Sequence, residues 1–207
     1  MAQFFSVHPQ NPQPRLIRQA VNMVRDGGII AYPTDSCYAL GCHLDDKQAV
    51  ERIRAIRGLD ARHLLTLLCC NLSDVSRYAR VTNPQYRLLK AATPGCYTFI
   101  LEASREVPRR VQHPKRNTIG LRIPDHPVVQ SLLVELGEPL LSASLILPAA
   151  ERPLTNPLEI REQLEHSLDL ILDAGVGGLE MTTVIAFEGD TPEIVRLGKG
   201  DPARLGL

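Results

Sequence analysis

This 207-residue chain predicts an α/β fold built on one mixed sheet flanked by helices. Three observations carry that expectation. Short apolar runs alternate with amphipathic helical patterns early in the chain, the order that builds a sheet with helices packed on its faces. Leu64 to Cys70 is apolar almost throughout, as a strand buried on both faces is. The last two runs, Thr183 to Phe187 and Glu193 to Leu197, are separated by a turn-like stretch containing Glu188-Gly189-Asp190 and read as a locally paired hairpin.

Taken in order, Asn11-Pro12-Gln13-Pro14 reads as a helix start, with Leu16, Ile17, Ala20, Val21 and Val24 at helical spacing and Gly27-Gly28 as the stop. Ile29 to Tyr32 is a short strand halted by Pro33, and Tyr38 to Cys42 is a second one. Asp45-Asp46 caps a helix with Ala49, Val50, Ile53 and Ile56 on one side and Arg52, Arg54 and Arg57 around the rest. After the strand at Leu64 to Cys70, Asn83-Pro84 opens a helix with Tyr86, Leu88 and Leu89 that breaks at Thr93-Pro94-Gly95. Tyr97 to Leu101 is β-like. Thr118 to Ile123 is a strand interrupted by polar positions and stopped by Pro124.

A helix then begins at His126-Pro127, capped by Asp125, and runs through Leu136 to Gly137. Leu140 to Leu147 is a strand that places Ser142 and Ser144 on one face, because strand side chains alternate. Pro157 to His166 is an amphipathic helix and Leu168 to Leu172 a strand. There is no internal repeat and no low-complexity linker, so residues 1–207 read as a single domain.

Composition narrows the setting. The hydrophobic fraction of 44% is that of a soluble globular protein, and no basic, apolar leader follows Met1. The longest nearly apolar stretch, Pro139 to Ala150, is too short to span a bilayer. Five cysteines without Cys-x-x-Cys spacing argue against a zinc site and a disulfide framework. These features predict a cytoplasmic protein with no membrane partner. Net charge is zero, yet Arg52 to Arg122 carries 14 Lys/Arg against 4 Asp/Glu, and Ile123 to Glu193 carries 2 against 13. Such asymmetry fits a basic face for phosphates or nucleic acid, and equally a solvated surface in which the two halves intermix. The excess of Arg over Lys suits phosphate, whose oxygens match the guanidinium fork.

Several chemistries are missing. The chain has no G-x-x-x-x-G-K-[ST] loop, no G-x-G-x-x-G after a strand and no H-E-x-x-H. Ser142 and Ser144 lack the G-x-S-x-G elbow of a serine hydrolase. Thr34, Asp35 and Ser36 stand at the end of a buried strand, where open α/β sheets bind small ligands. With Arg57, Thr118, Arg122, Ser142, Ser144, Thr182, Thr183 and Arg196 they form a set of hydroxyls and guanidinium groups. Such a set binds phosphate and carboxylate; arginine stays protonated and cannot act as a general base. Cys37, beside this stretch, is a buried apolar residue or a reactive thiol.

Several separated motifs occur here in one order. They are Gly27-Gly28-Ile29-Ile30-Ala31-Tyr32-Pro33-Thr34-Asp35, Thr93-Pro94-Gly95-Cys96-Tyr97-Thr98-Phe99 and Gly120-Leu121-Arg122-Ile123-Pro124-Asp125-His126-Pro127. Leu141-Ser142-Ala143-Ser144, Thr182-Thr183-Val184-Ile185 and Ile194-Val195-Arg196-Leu197-Gly198 complete them. Through these motifs nearly the whole chain resembles the YrdC/YciO family, most of all its YciO branch. The resemblance implies a YrdC-like α/β fold, a twisted open mixed sheet with a concave basic cavity. It implies synthesis of threonylcarbamoyl-AMP from ATP, threonine and bicarbonate, for tRNA modification. By resemblance Thr34, Arg122 and Thr182 bind the amino acid, Arg122 facing its carboxylate. Arg57, Thr118, Ser142, Ser144 and Arg196 bind the nucleotide, and Mg2+ enters with ATP.

Synthases of this family carry Lys-x-Arg and Ser-x-Asn, where this chain reads Arg57-Gly58-Leu59 and Ser144-Leu145-Ile146. Leu59 and Ile146 thus lack a guanidinium and an amide. Two expectations follow: an ATP-dependent, adenylate-forming enzyme of the synthase type, or a module that binds double-stranded RNA or tRNA through its basic tract. Asp35 has two open roles, orienting Thr34 or contacting a metal.

Overall fold

Pro14 fixes the entry of the first helix. The structure, a computed structural model of the chain, describes residues 1–60 and 63–207. After strand β1 (Gln3–Ser6), α1 (Pro14–Arg25) has Pro at its first position, where a missing N–H costs nothing, and Gly27 at φ 85° turns the chain out of it. Strands β2 (Ile30–Tyr32) and β3 (Ala39–His43) pair antiparallel. Helix α2 (Lys47–Arg57) is capped by Asp46, whose carboxylate accepts from Ala49 N at 2.9 Å. Strand β4 (Thr66–Leu68), helix α3 (Leu72–Tyr78) and the short β5 (Ala79–Arg80) follow.

A reciprocal Thr82/Gln85 capping box starts α4 (Asn83–Ala92), which precedes β6 (Tyr97–Ala103), a 3-10 turn at Arg109–Val111 and β7 (Thr118–Arg122). Helix α5 (Pro127–Leu136) leads to β8 (Leu140–Ser144), and α6 (Pro157–Leu164) to β9 (Leu170–Asp173). Strands β10 (Thr183–Glu188) and β11 (Thr191–Arg196) form the expected hairpin, with Gly189 at φ 61° in its turn.

Among the described residues the eleven strands make one mixed sheet in the order β1-β9-β2-β3-β8-β4-β7-β6-β10-β11, with β5 on β6. The six helices cover it unequally. Helices α2, α3, α4 and α6 pack one face through Ile53, Val75, Leu89 and Ile160, against Leu40, Leu67, Phe99 and Leu121. On the opposite face α1 and α5 pack through Val21, Val24, Val129 and Leu132 against Ile30, Tyr32, Leu140 and Leu170. Two helices cannot cover a face this wide. The part made by β8, β4, β7, β6 and β10 stays open, and a cavity lies over it. No helix among the described residues is long and apolar enough to cross a membrane.

The sequence reading differs from the structure in several places, the short β5 among them. β1 and α3 are absent from it: β1 is a half-buried edge strand paired to β9, far away in the chain, and α3 is short. The strand expected over Leu140–Leu147 ends at Ser144, because the chain turns there, Ile146 N bonding back to Ser144 O at 3.0 Å. The cap of α5 is His126, not Asp125: the His126 ring Nδ1 accepts from Val128 N at 3.3 Å.

Candidate functional site

Thr34 closes the turn after β2. Its Oγ1 accepts from the backbone N–H groups of Ser36 and Cys37 at 3.1 and 3.2 Å and donates to Cys37 O at 2.7 Å. Ser36 Oγ lies 3.0 Å from the same oxygen. These bonds tie the hydroxyl into the turn, and Thr34 shapes the wall of the site.

The floor of the site is a row across the sheet. Ser142 pairs in register with Thr66, Thr66 with Gly120, and Gly120 with Ile100. Alternation points all of them to the open face. Gly120 makes the floor deep: a Cβ there would meet Thr66 Oγ1 at 3.0 Å and Thr98 Cγ2 at 3.4 Å. The result is a cavity of about 550 Å³.

Its polar lining is cationic. Arg57, Arg122 and Arg196 line it, with His63 and His113, and among the described residues no Asp or Glu does. Partial burial draws the Arg57 and Arg196 guanidinium groups below their ordinary pKa, with no carboxylate among the described lining residues to oppose it. Arg57 Nε is buried with no hydrogen-bond partner. His63 is also drawn below 6.5, by burial and then by Arg57 and Arg54, so it is neutral at pH 7. At the rim Arg196 donates through Nε and Nη2 to Thr182 O at 3.3 and 3.0 Å, and Thr182 Oγ1 meets Thr98 Oγ1 at 2.8 Å. Cys37 sits in the wall, and burial raises its thiol pKa, which keeps it protonated.

Arg122 is the most deeply seated of the three. Its Nη1 donates to Ser36 Oγ at 3.1 Å, its Nη2 is ion-paired with Asp35 Oδ1, and its Nε is buried without a partner. The Asp35 carboxylate also accepts from the Cys96 thiol at 3.2 Å, and its backbone carbonyl accepts from Lys199 Nζ at 2.6 Å. Asp35 lies outside the lining of the main cavity and faces a smaller one of about 400 Å³ behind it. Its side chain is ion-paired with Arg122 and so holds that guanidinium from outside the lining.

Of the eight site residues expected from the sequence, Thr34, Arg57, Arg122, Ser142, Ser144, Thr182 and Arg196 line one cavity. Thr118 does not: it starts β7 on the same face as Gly120 and Arg122, with its Oγ1 buried and unpartnered. Thr183 faces away and ties down the tail, donating to Gly200 O at 2.5 Å and accepting from Gly198 N at 2.9 Å. Leu59 and Ile146 are not among the lining residues. Gly58, at φ 62°, lets Leu59 N reach Arg54 O at 2.9 Å, and this turn lays Leu59 onto the core. Thr66, Thr98, Gly120, His63 and His113 escaped the sequence reading. A glycine and two threonines inside apolar strand patterns were the available signal.

Comparison with known proteins agrees. The Sua5/YciO/YrdC family model, described as "Telomere recombination", matches residues 22–198. YciO of Escherichia coli K12 is 54% identical over 201 residues, covering 97% of this chain and 98% of that protein. A threonylcarbamoyl-AMP synthase of Halorhodospira halophila is 33% identical over 178 residues, 86% of this chain and 92% of that one. The crystal structure of E. coli YciO superposes with a TM-score of 0.96 at 53% identity, covering 99% and 100% of the two chains. P. abyssi Sua5 complexed with L-threonine superposes with a TM-score of 0.86 at 25% identity, over 94% of this chain and 57% of that longer one. The chain belongs to the Sua5/YciO/YrdC family.

Proposed function

We propose that the cavity binds ATP together with a small amino acid, threonine being the first candidate, and joins them as a carbamoyl adenylate. One observation carries this reading: three guanidinium groups line a cavity that contains no lining carboxylate among the described residues. A polyanion is the natural occupant. Arg57, Ser142, Ser144 and Arg196 hold the nucleotide, with Thr118 at the edge of that subsite. Arg122 meets the amino-acid carboxylate beside Thr182, while Thr34 gives the subsite its shape. Support for threonine comes from the synthase relative and the threonine-bound Sua5 structure.

In this reaction the neutral threonine amine adds to the carbon of bicarbonate, and one amine proton leaves with the bicarbonate hydroxyl as water, giving a carbamate. A carbamate oxygen then forms a bond to the α-phosphorus of ATP. The bond to the β-phosphoryl oxygen breaks, and pyrophosphate leaves with the electron pair. Such a step needs positioning and charge neutralisation more than a protein nucleophile, which is what hydroxyls and arginines offer. Mg2+ enters as part of the nucleotide substrate. The threonylcarbamoyl group is destined for tRNA.

The test is calorimetric titration with ATP, threonine and both together. Each ligand tightening the other supports the reading, because coupling between two sites is reciprocal. Binding of neither ligand refutes it.

A second reading rests on the exposed cations Arg105, Arg109, Lys115 and Arg116, which flank His113 at the cavity. They form a surface for the backbone of double-stranded RNA or tRNA, read by shape. That reading requires RNA affinity to fall steeply with salt. A flat salt response excludes it.

A further inference from the structure

We propose that Tyr32 is a positioning residue that fixes the direction of the Ser142 hydroxyl proton, so that Ser142 meets a bound ligand as a hydrogen-bond donor. The proposal rests on the nucleotide reading above and adds to it a residue outside the cavity lining.

Tyr32 is fully buried on β2, packed among the side chains of α1 and α5, and its hydroxyl oxygen lies 2.6 Å from Ser142 Oγ on β8. Strand β3 runs between β2 and β8, so the ring must pass over it. Gly41 makes that passage. It pairs in register with Ser142, and a Cβ at Gly41 would stand 2.7 Å from Tyr32 Cε1. The contact is thus built by three elements and fails with any side chain at Gly41.

Distance alone leaves the donor open, but burial decides it. A phenol proton among apolar side chains without an acceptor is costly, whereas a serine proton at a cavity wall has the ligand or water as acceptor. Tyr32 therefore donates, and Ser142 Oγ accepts. The Ser142 proton then turns to the cavity, beside Thr66, and selects an acceptor there: a phosphoryl or carboxylate oxygen. Burial also raises the Tyr32 pKa, against the opposing pull of its Ser142 bond and of Arg122, so the phenol keeps its proton.

The experiment is calorimetric ATP binding to the wild-type chain, Tyr32→Phe, Ser142→Ala, the double variant and Arg196→Ala, with a thermal melt of each. Tyr32→Phe keeps the ring and its packing. It should weaken ATP binding about threefold to tenfold, Ser142→Ala about tenfold, and the double variant no more than Ser142→Ala alone. In the melts Ser142→Ala should lose more than the double variant, because only Ser142→Ala orphans the buried phenol. Full additivity in the double variant, or wild-type affinity in Tyr32→Phe while Ser142→Ala and Arg196→Ala both weaken binding, overturns the role of Tyr32 and leaves the nucleotide reading standing. ATP affinity indifferent to Arg196 and Ser142 alike overturns the nucleotide reading, and the inference falls with it.

Discussion

Asp35 grips Arg122 from behind the cavity that Arg122 lines. The two side chains keep only 10% and 7% of their exposure, and Ser36 and Cys96 complete the polar shell around them. The arrangement holds one edge of the guanidinium in place while Arg122 lines the cavity. Removing Asp35 strands a buried cation, which costs far more than the net worth of the pair. Asp35→Ala should lower unfolding free energy by about 3 kcal/mol in urea melts. Asp35→Ala combined with Arg122→Ala should lose less than the two single losses added together. A loss below about 0.5 kcal/mol for Asp35→Ala would show that the pair does not hold the wall.

Gly120 is empty space with a purpose. Gly120→Val puts a branched side chain onto the cavity floor, against Thr66 Oγ1 and Thr98. ATP binding should weaken at least about tenfold by calorimetry, through the volume removed, and the melting temperature should fall as well, because a Cβ at Gly120 already stands 3.0 Å from Thr66 Oγ1 and 3.4 Å from the Leu65 carbonyl oxygen. Unchanged affinity would place the ligand elsewhere.

Arg57 and Arg196 approach the cavity from opposite ends of the chain and have no carboxylate beside them in its lining. Each Arg→Ala change should cost about tenfold or more in ATP affinity, the worth of one charge-assisted hydrogen bond. The salt dependence of binding should become shallower in each variant, because one fewer cation meets the phosphates. Lysine at either position should restore charge but only part of the affinity.

Leu59 exchanges a charge for core packing. Leu59→Arg with Ile146→Asn restores the residues that synthases of this family carry. Threonine-dependent pyrophosphate release should rise about tenfold or more, the kinetic worth of a charge-assisted phosphate contact. The same variant should melt at lower temperature, since Leu59 packs on the core. Lower stability with no gain in rate would mean that the missing guanidinium is not what limits turnover.

His126 links stability to pH. Burial draws its pKa below 6.5, with Asp35 opposing and Arg122 reinforcing the shift, and its ring nitrogen must stay unprotonated to cap α5. The unfolded chain therefore binds the proton more readily. Stability is fully present above pH 6.5 and is lost as pH falls from there through the depressed folded value. His126→Asn keeps a cap and loses the titration, so the stability profile below pH 6.5 should flatten. A slope identical to wild type would assign the acid sensitivity to other groups, His63 first among them.

Much of this was legible in the sequence because local rules held. Pro14, Gly27, Pro84 and Gly137 mark helix ends by backbone chemistry that acts within a few residues. Seven of the expected site residues meet in one cavity because six sit on strands or in the loops next to them and Arg57 ends helix α2. What stayed hidden was set by distance in the chain. Asp35 meets Arg122 87 positions away, Tyr32 meets Ser142 110 away, and β1 pairs with β9 across nearly the whole chain. Thr34 shows the converse limit: its side-chain type suits a ligand, but local turn geometry uses its hydroxyl first.

The central claim, that this cavity joins an amino acid to ATP, is tested most directly by pyrophosphate release from ATP in the presence of threonine and bicarbonate, with Arg122→Ala as control. The wild-type chain should release pyrophosphate only when all three substrates are present, and Arg122→Ala should fall to background. Equal release with and without threonine, or equal rates in wild type and Arg122→Ala, would contradict it.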